Sequence, residues 1–202
     1  MKIACAVLAA GQSRRFGNAD KLTSPLGDRP LVRWTLDRIP REVFSDLCAV
    51  VTSDAVAAIC ENAGFDYVRY AGGQLSDSIR RALSFLPDDV DGYLFVNGDR
   101  PFLRAETIRR MAERFSGSPD AAERLFWGET PSNPILFPRA ARAELLKLEG
   151  DKGGSAVLKS GRFRVLRTEA ADETETWDVD CPEALERMKR ELLKRGQDLV
   201  YD

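Results

Sequence analysis

The 202-residue chain contains no histidine. That removes the commonest general base and the usual partner of a serine or cysteine nucleophile. Carboxylates, cations, metal ions and positioning are left as the means of any chemistry. The four cysteines, Cys5, Cys48, Cys60 and Cys181, include no C-x-x-C pair. Without that spacing or a histidine, a zinc site is not expected. Cys5 and Cys48 stand inside apolar runs, where small buried thiols are common. No apolar run approaches the roughly 18 residues of a membrane span, and no basic segment with a long apolar stretch opens the chain. The expectation is therefore no signal peptide, no membrane partner and a cytoplasmic location. An excess of one charge is also missing, for 30 Lys and Arg face 32 Asp and Glu. No bulk basic field draws the chain to nucleic acid, so phosphate recognition must be local. The dinucleotide fingerprint G-x-G-x-x-G is absent. The P-loop pattern fails too, because five residues separate Gly11 from Gly17 and Asn18 follows.

What is present is an ordinary globular composition, 44% hydrophobic and 31% charged. The length suits one domain over residues 1–202, with no repeat or linker. Ile3 to Ala10 is a continuous apolar run, as in a strand buried on both faces. Further strands are expected at 47–52, 65–70, 93–96, 125–127, 135–137 and 163–168. Helices are expected at 30–39, 54–62, 76–86, 104–115, 138–148 and 182–195, with Asp54 and Ser76 as caps. Pro131 and Pro134 place breaks or edges between the strands around them. Alternation of strand and helix over the first hundred residues predicts an α/β fold, a mostly parallel sheet with helices on both faces. Ligands of such sheets bind at the carboxyl ends of the strands.

Two loops occupy such ends. In L-A-A-G-Q-S-R-R-F-G-N-A-D-K-L at 8–22, Gly11 and Gly17 let backbone amides approach an anion, and Arg14, Arg15 and Lys21 add charge. Spacing alone fits a solvated surface turn equally well. In Asn97-Gly98-Asp99-Arg100-Pro101 the aspartate can reach a hard cation such as Mg2+, or the residues can simply form a turn. Asp178 and Asp180 flank Val179 and point to one side if the segment is extended, which builds half a metal site. Asp180-Cys-Pro-Glu183 also reads as a capping box for the last helix.

Taken in order, these segments resemble one family. Residues 8–22 resemble the L-A-[AG]-G-x-S-x-R-[MF]-G-x-x-K signature of the MobA-like nucleotidyltransferases. Asn97-Gly-Asp-Arg-Pro101 resembles its G-D-x-P metal motif, and Pro25 to Leu31, Gly72 to Leu83, Asn133 to Phe137, Gly150 to Gly153 and Asp178 to Glu183 match later landmarks. The resemblance implies a three-layer α/β/α sandwich with a Rossmann-like, mostly parallel sheet, of the nucleotide-diphospho-sugar transferase type. Within the family the chain looks most like molybdenum cofactor cytidylyltransferases, which read L-A-A-G where guanylyl-transferring relatives more often read L-A-G-G.

The resemblance implies that CMP passes from CTP to a phosphate-bearing acceptor such as molybdopterin, with release of pyrophosphate. By the same resemblance Leu8, Ala9, Ala10, Gly11, Ser13, Arg14, Arg15 and Lys21 hold the triphosphate. Gly73, Ser76, Ser78 and Gly98 complete the substrate site, and Arg15, Lys21 and Asp99 are catalytic. Asp99 and Asp180 bind Mg2+. Rival readings are a GTP-dependent guanylyltransferase, a sugar- or alcohol-phosphate nucleotidyltransferase, and a silent accessory protein that hands a cofactor to a partner molybdoenzyme. Arg100 stands where relatives usually carry glutamine or methionine, on the acceptor side.

Overall fold

A computed structural model describes residues 1–11, 16 and 20–196. At its centre lies β1 (Ile3–Ala9), whose side chains are nearly all buried, as its unbroken apolar run requires. It pairs in parallel with β4 (Asp46–Val51) on one side and β6 (Gly92–Asn97) on the other. The full seven-stranded sheet has the order β5-β4-β1-β6-β8-β7-β9, with β5 (Asp66–Arg69), β7 (Ala122–Trp127), β8 (Thr130–Pro138) and β9 (Val165–Glu169). Only β8 runs against the rest, pairing antiparallel with both β6 and β7. A two-stranded ribbon of β2 (Pro25–Leu26) and β3 (Arg29–Pro30) stands apart.

Alternation along β1 sorts the core into two faces. Ile3, Cys5, Val7 and Ala9 belong to a cluster with α1 (Leu31–Asp37), α2 (Asp54–Asn62) and α4 (Ala105–Ser116). Ala4, Ala6 and Ala10 belong to the opposite cluster, with α3 (Leu75–Phe85), α5 (Arg142–Leu146) and α6 (Gly154–Leu158). Leu185 and Met188 of α7 (Pro182–Arg195) pack with Leu26, Leu31, Trp34, Phe102 and Val179 in a third, smaller cluster. The result is the expected mostly parallel sheet with helices on both faces.

Local details depart from expectation at the helix starts. Ser53, not Asp54, caps α2, because its Oγ accepts from the Val56 amide. Gln74 caps α3 in a reciprocal box with Asp77, so Ser76 lies one residue inside the helix. Cys181 precedes α7 without any side-chain cap, which leaves the Asp180 carboxylate for other use. The expected helix over 138–148 is a short 3-10 turn, Arg139–Ala141, followed by α5. Pro131 and Pro134 leave β8 continuous, but they flank the place where its ladder to β7 shifts register, between the Phe126–Pro131 and Arg124–Ile135 pairs, and the ladder to β6 begins only at Ile135.

Gly92 shows how tightly the sheet meets its helices. A Cβ there would lie 2.7 Å from the Phe115 ring and 3.0 Å from the Phe137 carbonyl oxygen. Gly92→Ala should therefore destabilise the protein by about 1–3 kcal/mol through overpacking, read as a lower urea midpoint at unchanged slope.

Candidate active site

The parallel pairing of β1 and β6 brings Leu8 opposite Asn97, so both strands end at the same level. The Gly98 amide continues the ladder, donating to the Leu8 carbonyl at 2.9 Å. An added Cβ at Gly98 would sit 3.1 Å from the Ala9 methyl, so glycine is what lets the second turn fold against the first strand. The next residue, Asp99, is only 7% exposed. Its turn is pinned from α1: the buried Thr35 hydroxyl donates to the Gly98 carbonyl and accepts from the Arg100 amide, both at 3.0 Å.

Lys21 opens a 3-10 turn, Lys21–Thr23, capped by the Asp20 carboxylate on the Leu22 amide. Asp20 is itself held by the Ser53 hydroxyl at 3.0 Å, and Leu22 is buried in the core. With both flanks anchored, the Lys21 ammonium projects across the strand ends. It donates to Asp99 Oδ2 at 2.6 Å and to the Val179 carbonyl at 2.8 Å, and lies 3.8 Å from Asp180 Oδ1. Val179 is fully buried in the third cluster, which fixes the two aspartates on either side of it. Asp180 thus faces the ammonium, while Asp178 accepts from Arg100 Nη2 at 3.2 Å. The Arg100 guanidinium is 5% exposed and also donates to Ser132 Oγ and the Thr176 carbonyl. Burial pushes the Asp178 carboxyl above its ordinary pKa, and the neighbouring Asp99 and Asp180 charges add to this against Arg100 and Lys21.

Lys21 and the three aspartates line a cleft of about 640 Å³, within the usual range for a small-molecule site. Leu8, Ala10, Gly11, Lys21, Gly73, Ser78, Gly98, Asp99 and Asp180 all border it. So do Asp178 and, from the loop before α6, Asp151. Two expected residues stand elsewhere. Ala9 points to the opposite face, because strand side chains alternate. Ser76 is wholly buried inside α3, its amide donating to the Gly150 carbonyl at 3.3 Å and its hydroxyl without a partner among the described residues. Ser13, Arg14 and Arg15, together with Gly17, lie outside the described residues. Thr35 has no sequence signal, since a threonine inside an apolar helix reads as neutral.

The donor set suits a hard cation. Asp99 Oδ1 is buried and has no hydrogen-bond partner among the described residues, while Oδ2 already faces a positive charge. Among the described residues no group of three or more acidic, cysteine or histidine side chains closes around one point. Two carboxylates that leave other positions to substrate oxygens match the habit of magnesium.

A sheet whose strand ends gather glycine turns, a lysine and two aspartates around one cleft is the framework of a nucleotidyltransferase. The chain belongs to the MobA-like NTP transferase domain family, whose model matches residues 5–169. It is 32% identical over 169 residues to a probable molybdenum cofactor guanylyltransferase of Pyrococcus horikoshii, covering 82% of this chain and 80% of that protein. It is 31% identical over 114 residues to a 2-C-methyl-D-erythritol 4-phosphate cytidylyltransferase of Frankia casuarinae, covering 55% of this chain and 43% of that protein. Its fold also matches the structure of Rv0371C from Mycobacterium tuberculosis in complex with manganese, at a TM-score of 0.77 and 27% identity, over 95% of this chain and all of that one. No helix among the described residues is long and apolar enough to cross a membrane.

The Thr35 clamp generates a test of its own. Thr35→Val keeps the shape but leaves the Gly98 carbonyl and Arg100 amide without their partner. A loss of about 1–3 kcal/mol in unfolding free energy is expected, with Thr35→Ser recovering most of it, measured by urea unfolding.

Proposed function

We propose that this protein transfers CMP from CTP to a phosphate-bearing acceptor of the molybdopterin type, releasing pyrophosphate, as a single cytoplasmic domain over residues 1–202. One observation carries the reading: the Lys21 ammonium lies between Asp99 and Asp180 in the cleft at the ends of β1 and β6. Asp99 and Asp180 would hold a divalent ion, with Mg2+ as the natural occupant, and that ion would supply neutralisation of triphosphate charge. Every other task falls to the chain. Among the described residues a Cβ at Gly11 would meet nothing within 4 Å, so phosphate can approach its backbone. Lys21 places a positive charge beside the α-phosphorus. Arg15 would add a second.

The acceptor needs no base. A phosphate monoester has a second pKa near 6, so at neutral pH its oxygen is already anionic. That oxygen forms the new bond to the α-phosphorus while the bond from this phosphorus to the bridging oxygen breaks, and pyrophosphate leaves. Positioning and charge relief account for the rate, as in phosphoryl transfer generally. A histidine-free chain suits such chemistry.

Ala10 favours the pyrimidine. Its methyl group borders the cleft in a position that is 4% exposed, and guanylyl-transferring relatives more often carry glycine there. On the same side Ser78 is held by the Tyr70 hydroxyl at 2.8 Å, oriented towards the cleft it lines. The competing reading is GTP, favoured by the name of the Pyrococcus relative.

Pyrophosphate release is the measurement, with each of the four nucleoside triphosphates and a molybdopterin-type acceptor. CTP should be the best donor, and turnover should require Mg2+. Asp99→Asn should lower turnover on the order of 100-fold, as for the loss of a major electrostatic group. Near-normal turnover in that variant would remove the assignment. Ala10→Gly should raise the GTP-to-CTP ratio of kcat/KM by about 10-fold or more, the scale set by one methyl group in a pocket. Nucleotide binding without turnover across plausible acceptors would point instead to an accessory role.

A further inference from the structure

A second pocket opens beside the catalytic cleft. It measures about 130 Å³ and lies between the sheet and helices α3 and α6. Leu8, Leu75 and Asn97 border both spaces, so the two communicate at the end of β6. The walls are apolar, from Ile79, Phe95, Ile135 and Phe137. The polar lining comes from Asn97, Asn133 and Ser155. Both asparagines are half-buried, and neither amide makes a hydrogen bond within the protein among the described residues. Such a pocket is too small for a whole nucleotide and suits one ring system of a larger ligand.

An arginine stands at its side. Ladder partners carry Phe95, Ile135 and Arg124 across β6, β8 and β7 on a single face of the sheet. The first two line the pocket, and Arg124 is the next in the row. Its Nη2 donates to Ser155 Oγ and its Nε to the Ser132 carbonyl, both at 3.0 Å. No carboxylate lies within ion-pair distance of it among the described residues. Burial draws its pKa down with no acid to oppose it. A half-buried cation without a counter-charge carries a desolvation cost that a ligand's electronegative edge would relieve.

We propose that this pocket is the acceptor subsite, taking a flat nitrogen heterocycle whose carbonyl edge meets Arg124, Ser155 and Asn133. The ring stacks between Ile79 and the sheet residues Phe95 and Ile135. Its phosphate-bearing arm passes Asn97 into the cleft, where Asp99 and Lys21 lie. The inference rests on the acceptor reading above and adds where, and by which residues, the ring is recognised.

The probe is 6-hydroxymethylpterin, a fluorescent bicyclic ring without a phosphate, titrated into the full chain. Saturable binding is expected, weakened about 10-fold or more in Arg124→Met and separately in Asn133→Ala, with Arg124→Lys recovering part of the loss. Thermal unfolding of each variant is followed in parallel, and Asn133→Ala stands as an independent arm if Arg124→Met fails to fold. CTP affinity should be the same in Asn133→Ala as in the wild type. The subsite is overturned if the wild type does not bind the ring, or if both substitutions leave its affinity intact. It is also overturned if excess inorganic phosphate displaces the ring from the wild type, because Arg124 would then be serving a free anion. Absence of nucleotide turnover with a normal ring titration would sink the proposed reaction and leave the pocket standing.

Discussion

The site depends on one ammonium group. Lys21 ties together three segments that are distant in sequence: its own turn, the loop after β6 and the extended segment around Val179. Lys21 and Asp99 are nearly buried, with side chains 12% and 11% exposed, whereas Asp180 is 56% exposed. Two carboxylates brought towards each other repel, and a cation between them offsets that repulsion. The lysine holds the two close. It thereby preserves the arrangement that a divalent ion requires. An ammonium has three donor hydrogens and rotates freely about its stem, so it can turn from a carboxylate towards a phosphate oxygen without moving the backbone.

That arrangement is only as good as the turn that carries Asp99. Main-chain pairing of β1 and β6 sets the height of the turn, Gly98 allows it to close against Ala9, and Thr35 holds it from the helix side. Each contact is made by backbone or by a fully buried hydroxyl. None depends on solvent or on a long side chain settling into place. Such over-determination is how a binding constellation stays within the tolerance that positioning catalysis demands.

The frame was legible where one physical effect dominated. Continuous apolar runs gave β1, β4 and β6, because strands buried on both faces have no polar alternative. Glycines and acids at the ends of β1 and β6 gave the place of the cleft, because parallel sheets bind at those ends. Helix starts were less legible. Ser76 looked like a cap, but Gln74 formed a box with Asp77 and put the serine inside the helix. Asp180 looked like a cap and is instead turned to Lys21, which no local pattern encodes. Prolines at 131 and 134 looked like strand breakers. They leave β8 continuous but mark where its ladder to β7 shifts register and the ladder to β6 has not yet begun, so a missing amide costs little there. Thr35 and Arg124 had no signature, because their roles arise only when the sheet and helices bring them beside the turn and the pocket.

The departure at Arg100 fits the same electrostatic logic. The acids at 99, 178 and 180 crowd one side of the cleft, and among the described residues Lys21 and Arg100 oppose them there. A glutamine or methionine at position 100 would leave Asp178 facing Asp99 and Asp180 with no cation of its own. By binding Asp178 and Ser132 together, Arg100 draws the Asp178 carboxylate away from the ammonium that Asp99 and Asp180 share. Asp99 and Asp180 then face Lys21 as a pair, and the third acid is partnered from behind. An arginine suits this place better than a lysine would, since its planar fork can hold a carboxylate, a hydroxyl and a carbonyl at once while remaining charged when buried.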